Sequence, residues 1–128
     1  HEHLDWEDIT TQFKKEIFDT IISIDVIEHL HPKDCIEHFK QAYNLLKISG
    51  QYIIQTPNKY NGPHDITREI YPSAKKAKGF HLNELSYSEI TSIMRQIGFS
   101  KFYSFYSFKR SFLNNITLKQ PVTASFLF

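Results

Sequence analysis

The sequence lacks the features that define several large classes of protein. A single cysteine, Cys35, excludes an intramolecular disulfide and a thiolate zinc site, and is typical of a reducing compartment. No apolar run approaches the roughly 20 residues of a membrane span, and the first residues lack the basic-then-apolar order of a signal peptide. Fifteen basic and 14 acidic residues give a net charge of +1, which does not favour nucleic-acid or membrane-surface binding. We therefore expect a cytoplasmic protein without a membrane partner.

What the sequence does contain is enough for a packed core. Its 128 residues suit one domain, and 41% of them are hydrophobic. Aromatic residues are abundant, with 11 Phe, 7 Tyr and one Trp. The sequence begins at His1 without an initiator Met, so we expect residues 1–128 to be one part of a longer chain.

The first half of the sequence predicts a β-α-β unit. The continuous apolar run 18–24 is typical of a parallel strand buried on both faces, and Pro32 suits the first turn of a helix. The helix has one apolar stripe, formed by Ile36, Phe39, Tyr43 and Leu46. Gly50 is expected to end this helix, and residues 51–56 form a second strand that Pro57 stops. The two strands should be parallel, with a right-handed crossover.

The second half predicts a long loop, a helix and edge strands. Residues 57–80 show no periodicity, and a loop of that length is usually functional or mobile. Ser86 and Glu89 form a capping box that begins a helix. Residues 99–108 read as a third strand, and residues 122–128 allow a fourth. The predicted fold class is α/β.

Two polar segments follow the two predicted strands of the β-α-β unit. They are residues 25–30 and 56–60. Open α/β sheets bind ligands beyond the carboxyl ends of their strands, so these segments are the first place to expect a site. The alternative is that both are ordinary solvent-exposed turns.

The order and spacing of several motifs resemble one enzyme family. Three motifs are similar to the second half of a class I S-adenosylmethionine-dependent methyltransferase. In order, they are Asp25-Val26-Ile27-Glu28-His29-Leu30, residues 45–50 and Thr56-Pro57-Asn58. Residues 62–67 and 79–86 are similar to a bacterial subgroup of these enzymes. The resemblance covers residues 7–106 and implies a partial Rossmann-like sheet. One departure is that Ile48 and Ser49 replace the Pro-Gly of the usual Leu-Lys-Pro-Gly-Gly.

The resemblance also implies that part of such a domain is missing. The family's glycine-rich cofactor loop has no counterpart, because none of the four glycines forms Gly-x-Gly, and the acidic residue that holds the ribose is absent too. We expect a C-terminal fragment that is inactive by itself. Ile21, Ile22 and Ile24 would then expose apolar surface where a neighbouring strand belongs.

Cofactor contacts are implied at two places. The resemblance assigns Asp8 and Ile9 to the adenine, where a carboxylate accepts from the amine and a backbone N–H donates to the ring. It assigns Asp25, Val26 and Ile27 to the flank of S-adenosylmethionine. The alternatives are a solvated acidic turn at Asp8 and plain core packing at Val26 and Ile27.

Catalysis and substrate binding are assigned to the polar segments. His29 is the expected base for a hydroxyl acceptor, with Glu28 beside it, and the alternative is a histidine that flanks the following helix. Asn58, His64 and His81 are expected to contact a small-molecule acceptor from the loop that covers it. His31 and His38 are expected on the surface.

Two other functions remain open. Small-RNA 2′-O-methyltransferases have a similar Glu-Val-Ile-Glu-His stretch, which implies a divalent metal on Asp25, Glu28, His29 and either His64 or His81. Against it, Asp25 is shorter than the glutamate and the chain has no basic patch for RNA. The main prediction therefore assigns no metal. The other alternative is a non-catalytic truncated or degenerate domain.

Overall fold

A parallel β-sheet forms the centre of the structure. The computed structural model describes residues 15–105 and 123–127, and within them the sheet has four strands. They are β1 (Phe18–Ile24), β2 (Leu46–Gln55), β3 (Lys101–Phe105) and β4 (Thr123–Leu127). The strand order is β1-β2-β4-β3, and every neighbouring pair is parallel. The predicted α/β class and the parallel β-α-β unit are confirmed, and β3 lies at an edge of this sheet.

Within the described ranges, three α-helices connect or flank the strands, and two of them begin as predicted. They are α1 (Pro32–Leu45), the short α2 (Thr67–Ile70) and α3 (Tyr87–Ile97). At the start of α1, the His31 ring accepts a hydrogen bond from the Lys33 N–H, and Pro32 occupies the first turn. At the start of α3, Ser86 and Glu89 form both hydrogen bonds of a capping box.

The end of α1 differs from the prediction. The helix ends at Leu45 and β2 begins at the next residue, so Gly50 lies inside β2 rather than at a helix end. The register passes from Phe18 opposite Leu46 to Thr20 opposite Gln51, which leaves residues 47–50 as a bulge. Gly50 is needed there, because a Cβ would lie 2.8 Å from the Lys47 carbonyl oxygen.

The hydrophobic core lies between the sheet and the helices α1 and α3. Tyr52 and Ile54 of β2 alternate toward this side and are fully buried. The core residues taken together are Ile27, Cys35, Phe39, Ala42, Leu46, Tyr52, Ile54, Ile90, Met94 and Phe99.

The buried face of α1 is rotated from the predicted stripe. The helix buries Cys35, His38, Phe39, Ala42 and Leu45, whereas Ile36 is 37% exposed. The prediction that His38 lies on the surface is therefore wrong. Its ring is covered by the sheet and hydrogen-bonds with the Tyr52 hydroxyl. Small side chains at Cys35 and Ala42 allow the close approach that selects this face.

The prediction that β1 is buried on both faces is also wrong for this structure. Ile22 is 60% exposed and Ile24 is 52% exposed, whereas Ser23 between them is buried, so the two isoleucines lie on the face of the sheet opposite the core. The core helices pack on one side only, against residues such as Tyr52. Of the three isoleucines expected to expose apolar surface, Ile22 and Ile24 do so, whereas Ile21 is only partly exposed.

None of the helices in the described ranges is long and apolar enough to cross a membrane.

Candidate active site at the carboxyl edge of the sheet

The carboxyl ends of β1 and β2 lie side by side. Ile24 pairs with Gln55, and the Asp25 N–H donates a 3.0 Å hydrogen bond to the Gln55 carbonyl. Residues 25–29 and 56–58 therefore leave the sheet at the same edge, as the sequence predicted. Asp25 turns the chain with a φ of 52°, a left-handed conformation that aspartate tolerates better than most residues.

Glu28 is the buried acid of this edge. It lies in a single 3-10 turn, Ile27–His29, and its side chain is fully buried. Oε2 accepts a 3.0 Å hydrogen bond from the Thr56 hydroxyl, so the two segments meet directly. Oε1 is buried and has no hydrogen-bond partner among the residues that the structure describes. A buried carboxylate with one free oxygen is unfavourable unless a ligand or a cation completes its contacts.

Two histidines lie next to Glu28, each with its Nδ1 engaged. Nδ1 of His29 is 3.1 Å from the Phe80 carbonyl oxygen, so it donates to that oxygen and leaves a lone pair on Nε2. Nδ1 of His81 is 2.7 Å from Oε1 of Glu84. The two imidazole rings are 4.9 Å apart between centroids and nearly perpendicular.

Together these residues form a group that we name the Glu-His-His cluster, defined by Glu28, His29 and His81. One potential ligand atom from each lies within 4.8 Å of the others. His81 reaches the cluster because the Leu82 and Asn83 N–H groups donate to the Glu28 carbonyl at 2.8 and 3.0 Å.

The remaining residues of the four-ligand alternative lie outside the Glu-His-His cluster. Asp25 does not belong to it, although it comes only three residues before Glu28. His64 does not belong to it either. The structure therefore brings together one carboxylate and two imidazoles rather than the expected pair of acids.

The other predicted substrate residues make local contacts beside the cluster. Oδ1 of Asn58 accepts from the Tyr60 N–H, and Nε2 of His64 lies 3.0 Å from the Asn58 carbonyl oxygen, to which it donates. The His64 N–H donates at 2.8 Å to Oε1 of Glu84, the same oxygen that contacts His81.

The sequence analysis assigned no role to Glu84 or to Asp65. Glu84 follows His81 by three residues, and that spacing was the available signal. Asp65 accepts from the N–H groups of Thr67, Gly79 and His81 at 2.9, 2.8 and 3.3 Å. Desolvation acts to raise the pKa of Asp65, but hydrogen bonds from Thr67, His81 and Gly79 hold it well below its usual range. Asp65 thus folds the long loop back toward the sheet.

The residues predicted to contact the cofactor differ in their exposure to solvent. Asp25 and Val26 are exposed at the edge, whereas Ile27 is fully buried in the core. Asp8 and Ile9 lie outside the described residues.

A cleft of about 420 Å³ opens beside the cluster. His81 and Glu84 form part of its wall, together with Lys59, Lys75 and Lys76. Small-molecule sites usually have volumes of about 300–1,000 Å³, so the cleft has the size of a metabolite site.

A parallel sheet flanked by helices, with polar side chains at its carboxyl edge, is consistent with a partial Rossmann-like fold. A family model described as a methyltransferase domain matches residues 2–103, and the chain belongs to this methyltransferase family. No curated protein sequence and no solved structure matches the chain.

Proposed function

We propose that the full-length protein to which this chain belongs transfers a methyl group from S-adenosylmethionine to a small-molecule acceptor. One observation carries the proposal: the segments after β1 and β2 leave the sheet side by side in a chain of the methyltransferase family. That arrangement gives the donor and the acceptor adjoining places at one edge of the sheet.

The residues proposed to contact the cofactor lie at the carboxyl edge of the sheet and are chemically suited to it. Asp25 presents a carboxylate and Val26 an apolar surface that is 37% exposed, and both suit a ligand with polar and apolar parts. Ile27 would support these residues from the core. S-adenosylmethionine, when bound, supplies an electrophilic methyl group on its sulfonium.

His29 is the proposed base. With Nδ1 donating to Phe80, Nε2 holds the lone pair that accepts a proton from an acceptor hydroxyl. The imidazole becomes positively charged in that step, and the nearby Glu28 carboxylate stabilises the charge. Glu28 and His29 therefore work as a pair.

Acceptor binding is proposed for the cleft. His81 lies in the wall of the cleft, and His64 is next to it because it hydrogen-bonds with Glu84 and with the Asn58 carbonyl. A volume of about 420 Å³ is enough for a metabolite. Lys75 and Lys76 add positive charge, which favours an acceptor with an acidic group.

The test supplies S-adenosylmethionine with a labelled methyl group to the full-length protein together with a metabolite extract or total RNA. We expect label in a small molecule. His29→Ala should reduce turnover at least a hundredfold with little change in cofactor affinity, and His31→Ala should leave both unchanged. Label found in RNA would favour the 2′-O-methyltransferase alternative. Absence of transfer to either pool, or full activity of His29→Ala, would contradict the proposal.

A further inference from the structure

The Glu-His-His cluster brings potential ligand atoms close together, since one from each residue lies within 4.8 Å of the others. Glu28 is fully buried, Thr56 engages one of its oxygens, and the other has no partner among the described residues. A buried carboxyl oxygen without a partner is unfavourable unless a ligand completes its contacts.

Both imidazoles are held in a form that offers a lone pair. The Phe80 carbonyl engages Nδ1 of His29, and the Glu84 carboxylate engages Nδ1 of His81. Each contact fixes the ring orientation and makes Nε2 the free nitrogen. A carboxylate or carbonyl behind a histidine is the usual support for a metal-binding imidazole.

We propose that Glu28, His29 and His81 bind one divalent transition-metal ion such as Zn²⁺ or Mn²⁺. Two imidazoles and a carboxylate suit such ions better than Mg²⁺, which prefers oxygen ligands. Three protein ligands leave coordination positions open, as in catalytic rather than structural metal sites. The inference goes beyond the proposed function, because binding of the ion requires neither cofactor nor acceptor.

Metal binding assigns new roles to two residues. His29 would then be a ligand instead of the base, and the ion, when bound, would lower the pKa of an acceptor hydroxyl so that its proton leaves to water. Glu84 becomes a positioning residue, since it acts on the ion only through His81.

The experiment measures metal binding directly. The 128-residue chain carries His1→Ala and His3→Ala in every sample, which removes two histidines outside the cluster. Co²⁺ is titrated near neutral pH with its visible absorption as the signal, and Zn²⁺ and Mg²⁺ are added as competitors. We expect one ion per chain, displaced by Zn²⁺ and not by Mg²⁺.

Matched variants locate the ion. Glu28→Gln and His81→Ala should each weaken binding at least tenfold, and Glu84→Gln should weaken it about 10- to 100-fold as a supporting residue. His31→Ala and Glu69→Gln remove an exposed histidine and an exposed carboxylate, and should leave the affinity unchanged. Circular dichroism checks that each variant is folded, and His29→Gln replaces any cluster variant that is not.

Unchanged affinity in Glu28→Gln and His81→Ala would overturn the metal site, and so would equal competition by Mg²⁺. The methyl-transfer assay is read separately. Methyl transfer by a protein that binds no metal would contradict the metal site and support the proposed function. Metal binding without methyl transfer would support the metal site and contradict the proposed function.

Discussion

Asp25 and Ser49 both have a positive φ, which is a left-handed backbone conformation. Asp25 has a φ of 52° at the carboxyl edge, where its N–H still completes the pairing with Gln55. Such conformations persist where the surrounding structure holds them, and they are common at functional sites. Ser49 has a φ of 71° in the bulge of β2, away from the candidate site. Its position is where the family's usual motif has glycine, which adopts this conformation without steric cost.

Ser49→Gly should therefore stabilise the fold. A residue with a Cβ loses roughly 1–2 kcal/mol in the left-handed region, and the added flexibility of glycine in the unfolded state offsets part of the gain. We expect the free energy of unfolding to rise by about 0.5–1 kcal/mol, measured by urea denaturation.

Two substitutions nearby act as controls for this prediction. Ser49→Ala keeps the Cβ and should change stability little. Gly50→Ala should destabilise, because the new Cβ meets the backbone oxygens of Lys47 and Phe18 at 2.8 and 3.2 Å. A loss of stability in Ser49→Gly would show that the serine side chain stabilises the bulge.

At the scale of elements, the segment between β2 and α3 is held by side-chain contacts rather than by regular structure. Asp65 accepts from three N–H groups within it, and the Thr67 hydroxyl oxygen accepts from the Lys78 N–H at 2.8 Å. The Leu82 and Asn83 N–H groups then attach the end of this segment to Glu28. The position of His81 therefore depends on residues far from it in sequence.

Asp65→Asn should loosen this segment. An amide has one acceptor oxygen and no charge, so it cannot hold Thr67, Gly79 and His81 together. We expect the Gly79 and His81 amides to exchange hydrogen at least tenfold faster in NMR experiments, with the β2 amides unchanged. Glu69→Gln, at an exposed carboxylate of α2, serves as the control. Equal exchange rates in Asp65→Asn and the parent chain would contradict the role assigned to Asp65.

The local parts of the fold could be predicted from sequence, and the packing could not. The β-α-β unit and the capping box at Ser86 follow from short-range patterns. The end of α1 was misplaced because Gly50 resembles a helix stop, whereas its role is to fit a bulge. His38 was misplaced because a stripe drawn through the largest apolar residues ignores how closely small residues approach a sheet.

The residues of the candidate site were named from the sequence, but their arrangement in space was not predicted. Glu28, His29 and His81 were all named, since they are chemically capable residues next to strand ends or in the long loop. That they meet depends on the folding of the loop by Asp65. Thr56 was named only as part of a motif and Glu84 was given no role, because their hydrogen-bond partners become visible only when the segments are brought together.

At the scale of the whole molecule, the apolar core and the candidate site adjoin each other, because Ile27 belongs to the core and Glu28, the next residue, belongs to the cluster. Helices α1 and α3 cover one face, and the cluster lies at the carboxyl edge. His38 belongs to the core side and hydrogen-bonds with Tyr52 there. Burial lowers the pKa of His38 from 6.5 to about 4, so this histidine stays neutral in the folded protein down to about pH 4.

The low pKa of His38 makes the stability of the fold depend on pH. Between pH 6.5 and about 4 the unfolded chain binds a proton at His38 that the folded chain does not, so stability is present above pH 6.5 and falls as the pH is lowered. The fall amounts to at most about 3 kcal/mol. Urea denaturation across this window should show it, and His38→Gln should remove that part of the slope, whereas His31→Ala should not. An unchanged slope in His38→Gln would assign the pH dependence to other groups and place the His38 ring in water.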